Sequence, residues 1–176
     1  MAYIITNPQV GHAVGIAQTD SGFTPPNASS AVPTPPLYPG MVVTAEDPTY
    51  GVGEFILLLG TASTAAGDWV SFQSGSYATT RWAGTANEGR PLAVAMAATG
   101  ANTWGWYQIA GNAVANISGT VAANDKVYWQ STATTSSTQV NGKQVLGAIA
   151  AGANGVPAAG KAVITIDRPH SQGQIA

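Results

Sequence analysis

The stretch Pro91-Leu92-Ala93-Val94-Ala95-Met96-Ala97-Ala98 decides between a helical and a β interpretation of this chain. A helix is conceivable, because proline suits a first helical turn and alanine and methionine are good helix formers. However, Leu92, Val94 and Met96 occur at every second position with alanines between them, which is the period of a strand. We therefore expect a strand with both faces covered, whose alanine face is closely packed by another element.

Outward from this stretch, turn residues recur at intervals typical of a protein built from short strands. The Asn141-Gly142 pair predicts a hairpin with a type I′ turn, because this turn needs positive φ at both central residues. The sum is about nine strands and no clear helix, hence an all-β fold, either a compact β-barrel or a sandwich. The other predicted strands of the body are 54–59, 68–73, 77–82, 103–110, 112–118, 125–130, 144–150 and 161–167.

The N-terminal part differs in composition, because residues 20–53 contain seven prolines. Proline fixes φ and lacks a backbone donor, so we expect neither helix nor central strand here, but an extended segment. A disordered linker and an ordered arm on a neighbouring surface both fit. The apolar residues Phe23, Leu37 and Tyr38 favour the arm. The predicted organisation is a strand-like segment and Pro-rich arm at 1–53, a β body at 54–167 and a polar tail at 168–176.

The chain of 176 residues has only 8% charged residues, where about 25% is usual. This composition fits a protein that hides much of its surface against copies of itself or a scaffold. A net charge of −2 and six scattered Lys and Arg residues offer no footprint for nucleic acid. The absence of cysteine excludes disulfides, thiol catalysis and Cys-ligated zinc. The sequence has no signal-peptide pattern and no apolar run long enough for a transmembrane helix. We therefore expect that the protein is made in a cytoplasm and does not associate with a membrane.

The sequence contains no recognisable set of catalytic residues. We therefore expect that the protein is not an enzyme and that it has no catalytic residue, no metal and no cofactor. His12 and His170 lie near the two ends, and no Gly-x-Ser-x-Gly motif is present. Carboxylates that could act on glycosides mostly adjoin turn residues, where acidic side chains are ordinarily solvated. These carboxylates are Glu54, Asp68, Glu88 and Asp125.

An aromatic cluster is the one group of residues with a plausible binding role. In a strand at 103–110, Trp104 and Trp106 point to one face and Tyr107 to the other, while Trp129 lies in a second strand. These rings could fill the core or a subunit contact, or they could stack on sugar rings. The candidate interaction residues are Phe23, Leu37, Tyr38, Trp104, Trp106 and Trp129.

Three runs of sequence resemble the head decoration, or cement, proteins of tailed bacteriophages. They are Gly89–Ala98, Gly105–Ala113 and Val121–Tyr128, followed by the later segment Val145–Ala150. The resemblance covers roughly residues 54–167 and rests on short patterns, and the Pro-rich stretch lies outside it. It implies a small β-rich protein on the outside of a capsid, often a symmetric oligomer, that reinforces the shell and has no active site.

The expected function is therefore that of a structural virion protein that binds the outer surface of a phage capsid and stabilises it. Its partners would be the major capsid protein and itself, with a trimer favoured, and its location the capsid surface after assembly in the host cytoplasm. The alternative is a carbohydrate-binding fibre or adhesin module that uses Trp104, Trp106 and Trp129 on its surface.

Overall fold

The computed structural model of the chain describes residues 3–6, 16, 19–20, 38–130 and 133–174. Within these ranges the secondary structure is entirely β and contains no helix, so the predicted fold class is confirmed. Twelve strands are present, three of them only two residues long. They are β1 (Ile4–Ile5), β2 (Thr19–Asp20), β3 (Val42–Asp47), β4 (Gly51–Leu59), β5 (Trp69–Phe72), β6 (Thr79–Arg81), β7 (Leu92–Ala95), β8 (Trp104–Asn116), β9 (Lys126–Trp129), β10 (Thr135–Ser136), β11 (Gln144–Ala150) and β12 (Lys161–Ser171).

The strands form one antiparallel sheet whose main path runs β1-β3-β4-β8-β12-β11-β9-β10. β8 is the centre of this sheet, because it pairs with other strands along both of its edges. One edge pairs with β4, and the other pairs in turn with β2, β7 and β12. Ala110, for example, has Glu54 as its partner on one side and Asp167 on the other. β5 and β6 continue the branch that begins at β7.

The sheet is not closed into a barrel, so that part of the expectation is wrong. A single isolated bridge between Ile117 and Thr135 links the end of β8 to β10, but no ladder follows it. The sheet curves instead, since Trp69 and Val94 pack in one cluster with Val127 and Ile164 from distant strands.

β7 confirms the period-two interpretation of the stretch that decides the fold. Leu92 and Val94 belong to the large cluster around Trp69, whereas Ala93 and Ala95 belong to a second cluster on the opposite face. All four side chains are buried. Small alanine side chains allow the neighbouring layer to approach closely, which is why a strand with two covered faces alternates large and small residues.

Three segments differ from the expectations. β3 lies between β1 and β4 although we expected no central strand at 20–53, because residues 42–47 fall between Pro39 and Pro48 and contain no proline themselves. The strands predicted at 103–110 and 112–118 form the single strand β8. β12 continues through the predicted tail to Ser171, paired with β11.

The turn at Asn141-Gly142 forms, but it is not of type I′. Lys143 donates its backbone N–H to the Val140 carbonyl at 3.1 Å, and Gly142 has a φ of +72°. Asn141 does not have positive φ. β11 pairs with β9 and β12 rather than with a strand just before this turn, so no two-residue hairpin results.

Gly111 is the position at which β8 passes from its pairing with β4 to its pairing with β12. Its φ is +93°, and a Cβ atom there would lie 2.4 Å from the Val52 carbonyl oxygen. We expect Gly111→Ala to lower the free energy of unfolding by about 1–3 kcal/mol, because it adds backbone strain and a clash with another backbone. Urea denaturation measures this change. Gly75→Ala is the control, since Gly75 has open space around it, and an equal loss in both variants would contradict the prediction.

Candidate interaction surface

The three candidate tryptophans lie in the core. Trp104 and Trp106 pack with Phe55 in one cluster, and Tyr107 faces the opposite cluster, as the alternation predicted. Trp129 packs against Trp82 with ring centroids 4.1 Å apart. All three tryptophans are buried, so their indole faces cannot stack on a sugar in this fold. The expectation that Trp104, Trp106 and Trp129 lie on the surface, on which the adhesin alternative depended, is therefore wrong.

The remaining candidates belong to the N-terminal segment. Phe23 and Leu37 lie outside the described residues. Tyr38 is 81% exposed and immediately precedes the turn that leads into β3. The structure thus brings Trp104 and Trp106 together in the core and leaves Tyr38 on the surface.

An exposed sheet face, which the sequence did not single out, lies on β1, β3 and β4. Cross-strand partners share a face, and Ile4, Glu46 and Val52 are successive partners across these three strands. Thr44 and Glu54 are the next pair on this face. We call Ile4, Val42, Thr44, Glu46, Val52 and Glu54 the β3–β4 face.

Apolar side chains are unusually exposed on the β3–β4 face. Ile4 and Val52 are 70% and 59% exposed, and Val42 is also exposed. The alternation of Val42, Thr44 and Glu46 along β3 was the available sequence signal, but seven surrounding prolines obscured it. These three apolar residues share one exposed side with Thr44, Glu46 and Glu54, and we take this mixed face as the candidate interaction surface.

Next to the β3–β4 face lies an apolar cleft with a volume of about 370 Å³. Its wall is built where the Tyr77 ring covers Gly40, at which a Cβ atom would lie 2.2 Å from the ring. Its one charged lining residue, Arg168, forms an ion pair with Glu54 of the β3–β4 face. The cleft is lined by Gly40, Ile56, Phe72, Ser74, Tyr77, Pro91, Leu92, Ile109, Arg168 and Pro169.

A polar cluster around the buried Asp68 holds strand ends together. The Asp68 carboxylate accepts hydrogen bonds from Arg81 Nε at 3.0 Å and from Asn116 Nδ2 at 2.8 Å. Lys161 Nζ donates to Asn116 Oδ1 and to the Ala66 carbonyl, both at 2.7 Å. Burial lowers the pKa of the Lys161 ammonium, while the Asp68 charge opposes that change. Asp68 precedes β5, and its donors and their partners lie at the ends of the other strands, so the cluster joins β5 to β6, β8 and β12. The hydrogen bonds also satisfy the buried oxygens of Asp68.

The other carboxylates considered for glycoside chemistry each have a separate partner. Glu54 pairs with Arg168, Glu88 with Arg90, and Asp125 accepts the backbone N–H of Ala122. In the described part of the chain, no group of three or more His, Cys, Asp or Glu residues could hold a metal ion. His170 is exposed on β12, and His12 lies outside the described residues.

None of the described residues forms a helix long and apolar enough to cross a membrane. Comparison of the sequence with protein-family models and with curated proteins finds no match.

Tyr3 fastens β1 to the rest of the sheet. Its hydroxyl donates a hydrogen bond to the Asn112 carbonyl at 3.1 Å, and its ring meets Phe55 edge-on at 4.8 Å. Burial, partly offset by a hydrogen bond with the Gln108 side chain, raises the pKa of Tyr3 to about 12 from its usual value of 10.0. The folded state therefore favours the neutral phenol, and ionisation opposes the docking of β1.

The stability of the protein should fall between pH 10 and pH 12, and Tyr3→Phe should reduce that fall. In this window the unfolded chain releases the Tyr3 proton while the folded chain retains it, so rising pH favours unfolding. We expect Tyr3 to account for about 1–2 kcal/mol of this loss after solvent screening of a half-buried group. At pH 7 the variant should be less stable by about 1 kcal/mol through the lost hydrogen bond.

Urea denaturation at several pH values measures both effects, with Tyr38→Phe as the control at an exposed ring. The curves of the unchanged protein and of Tyr3→Phe should converge as the pH rises. Parallel curves would show that Tyr3 is not buried as described.

Proposed function

We propose that this chain is a structural virion protein that binds the outer surface of a phage capsid and stabilises it. The observation that carries the proposal is the β3–β4 face, on which Ile4, Val42 and Val52 are exposed in a chain with only 8% charged residues. The resemblance of residues 89–98, 105–113 and 121–128 to phage decoration proteins supports the same conclusion.

The chemistry of the β3–β4 face suits a protein contact. Stable interfaces combine an apolar centre with a polar rim, and few charged groups lie at the centre. Here Ile4, Val42 and Val52 supply apolar area, and Glu46 lies between Ile4 and Val52, with Thr44 and Glu54 beside it, so the face is mixed. Because Glu54 is already paired with Arg168, Glu46 is the carboxylate for which a partner covering this face would have to supply a hydrogen-bond donor or a cation.

The body supports this role by holding the face in place. β4 carries Val52 at its exposed end and Leu57 in the core, and β8 pairs with β4 along seven residues of its length, Trp104 to Ala110. A surface fixed in this way loses little conformational entropy on binding. Repetition of one contact by the symmetry of a shell then adds avidity that no single contact provides.

In this proposal the partners are the major capsid protein and further copies of the chain, with a trimer favoured. The protein acts on the capsid exterior after assembly in the host cytoplasm, without a catalytic residue or cofactor. β1, β2 and β3 pair within the body sheet, so in this proposal the arm contacts fall to residues 21–37 of the Pro-rich segment.

The test is binding of the purified full chain to phage capsids assembled without it, measured by co-sedimentation and electron microscopy. We expect Val52→Asp to weaken binding roughly tenfold or more, because a buried unpaired carboxylate costs at least about 1.4 kcal/mol. Val156→Asp is the matched control, since Val156 is 62% exposed but lies in the loop between β11 and β12.

Failure of the unchanged protein to bind capsids would contradict the capsid proposal as a whole. Equal binding by Val52→Asp and the unchanged protein would remove the β3–β4 face from the contact. The melting temperatures of both variants establish that the substitution at Val52 has not unfolded the sheet.

A further inference from the structure

The apolar cleft has the lining of a groove for a proline-rich segment. Two aromatic rings, Phe72 and Tyr77, face it together with the pyrrolidine rings of Pro91 and Pro169. Aromatic-lined grooves of this kind bind extended proline-rich chains, which lose little entropy because their backbone is already restricted. Since Arg168 is already paired with Glu54, the cleft presents no free charge that would call for a charged ligand.

The chain itself contains a segment of matching chemistry at residues 21–37. These seventeen residues include five prolines and no charged residue, and Phe23, Val32 and Leu37 provide apolar side chains. An uncharged, proline-rich segment can enter an apolar cleft without stripping water from an ionised group. A volume of about 370 Å³ accommodates a few such side chains at a time.

The two ends of this segment are held close together on the body. Asp20 is the partner of Trp104, Trp104 is the partner of Leu59, and the Gly40 N–H donates to the Leu57 carbonyl at 2.8 Å. From strand spacing, the ends are therefore about 15–20 Å apart. Seventeen residues of proline-rich chain can extend about 50 Å. Because this reach is more than twice the distance between the ends, the segment is long enough to contact the cleft of a neighbouring copy.

We propose that the apolar cleft of one copy receives the segment 21–37 of a neighbouring copy of this chain. Exchange of this kind around a closed ring gives every copy one occupied cleft and one donated segment. This inference deepens the proposed function, because it names the partner of the arm. It rests on the proposed function in one respect, namely that the protein forms an oligomer with copies of itself.

Because the chain contains no cysteine, engineered pairs of cysteines can report the contact in the full-length protein. Ser74→Cys places a thiol at the exposed rim of the cleft, and Thr24→Cys places one beside Phe23 in the segment. Mild oxidation of the double variant should produce covalent dimers and larger species on a denaturing gel without reductant. Thr34→Cys in place of Thr24→Cys samples the other end of the segment.

The control pairs Thr24→Cys with Ala153→Cys, an exposed position in the loop between β11 and β12. Cross-linking at Ser74 should exceed that at Ala153 roughly tenfold, because docking raises the local concentration of one thiol at the other. Equal cross-linking at the two sites contradicts the proposal. A disulfide within single chains also contradicts it, because the segment would then contact its own body. The absence of any disulfide with either Thr24→Cys or Thr34→Cys contradicts it as well.

A second variant tests the same contact without disulfides. Replacing residues 21–37 with a Gly/Ser segment of equal length keeps β1 and β2 connected to the rest of the chain. It removes the prolines and the apolar side chains of the segment. Light scattering should show a loss of oligomer mass, while urea denaturation of the body stays unchanged. An unchanged oligomer mass would overturn the proposal. Both experiments use the isolated protein, so they can fail or succeed independently of capsid binding.

Discussion

The structure depends on the double pairing of β8. Its residues form ladders along both edges, with β4 on one side and β2, β7 and β12 on the other. Both of its faces are also covered, because Trp106 and Tyr107 belong to different clusters. A strand that is enclosed on four sides cannot shift register without disturbing every neighbour. The contacts of β8 in the centre of the sheet therefore fix the position of the exposed β3–β4 face.

Local patterns in the sequence predicted which way side chains point, because side chains alternate along any strand whatever its partners. The two faces of β7 and the opposite orientations of Trp106 and Tyr107 were predicted for this reason. The continuity of β8 was not. Gly111-Asn112 has the composition of a turn, but the φ of +93° at Gly111 serves a close approach to the Val52 carbonyl. That contact joins residues far apart in sequence, so no local pattern reveals it.

Exposure was the second property that the sequence could not provide. Trp129 and Val52 both lie in strands, yet Trp129 is buried and Val52 is 59% exposed. Whether a side chain is buried depends on which distant strand packs over it. The two-residue alternation along a strand does not specify the order of the strands in the sheet. The density of prolines also hid β3, because the average over residues 20–53 conceals a proline-free strand between Pro39 and Pro48. The candidate surface thus emerged only from the register of β1, β3 and β4.

The chain has few charged residues, and in its described part only Asp47 and Asp68 are buried. Four of the six Lys and Arg residues have a side-chain partner, and three of these partnerships join different parts of the sheet: Arg81 with Asp68, Lys161 with Asn116 and Arg168 with Glu54. With only 8% charged residues in the sequence, small polar and apolar groups nevertheless make up most of the exterior. Such a surface gives weak electrostatic repulsion between copies, which is a disadvantage for an isolated soluble protein. The same property lowers the desolvation cost of contacts that the uncharged parts of the surface make. Under the function proposed above, this composition suits a protein whose stable state is the assembled one.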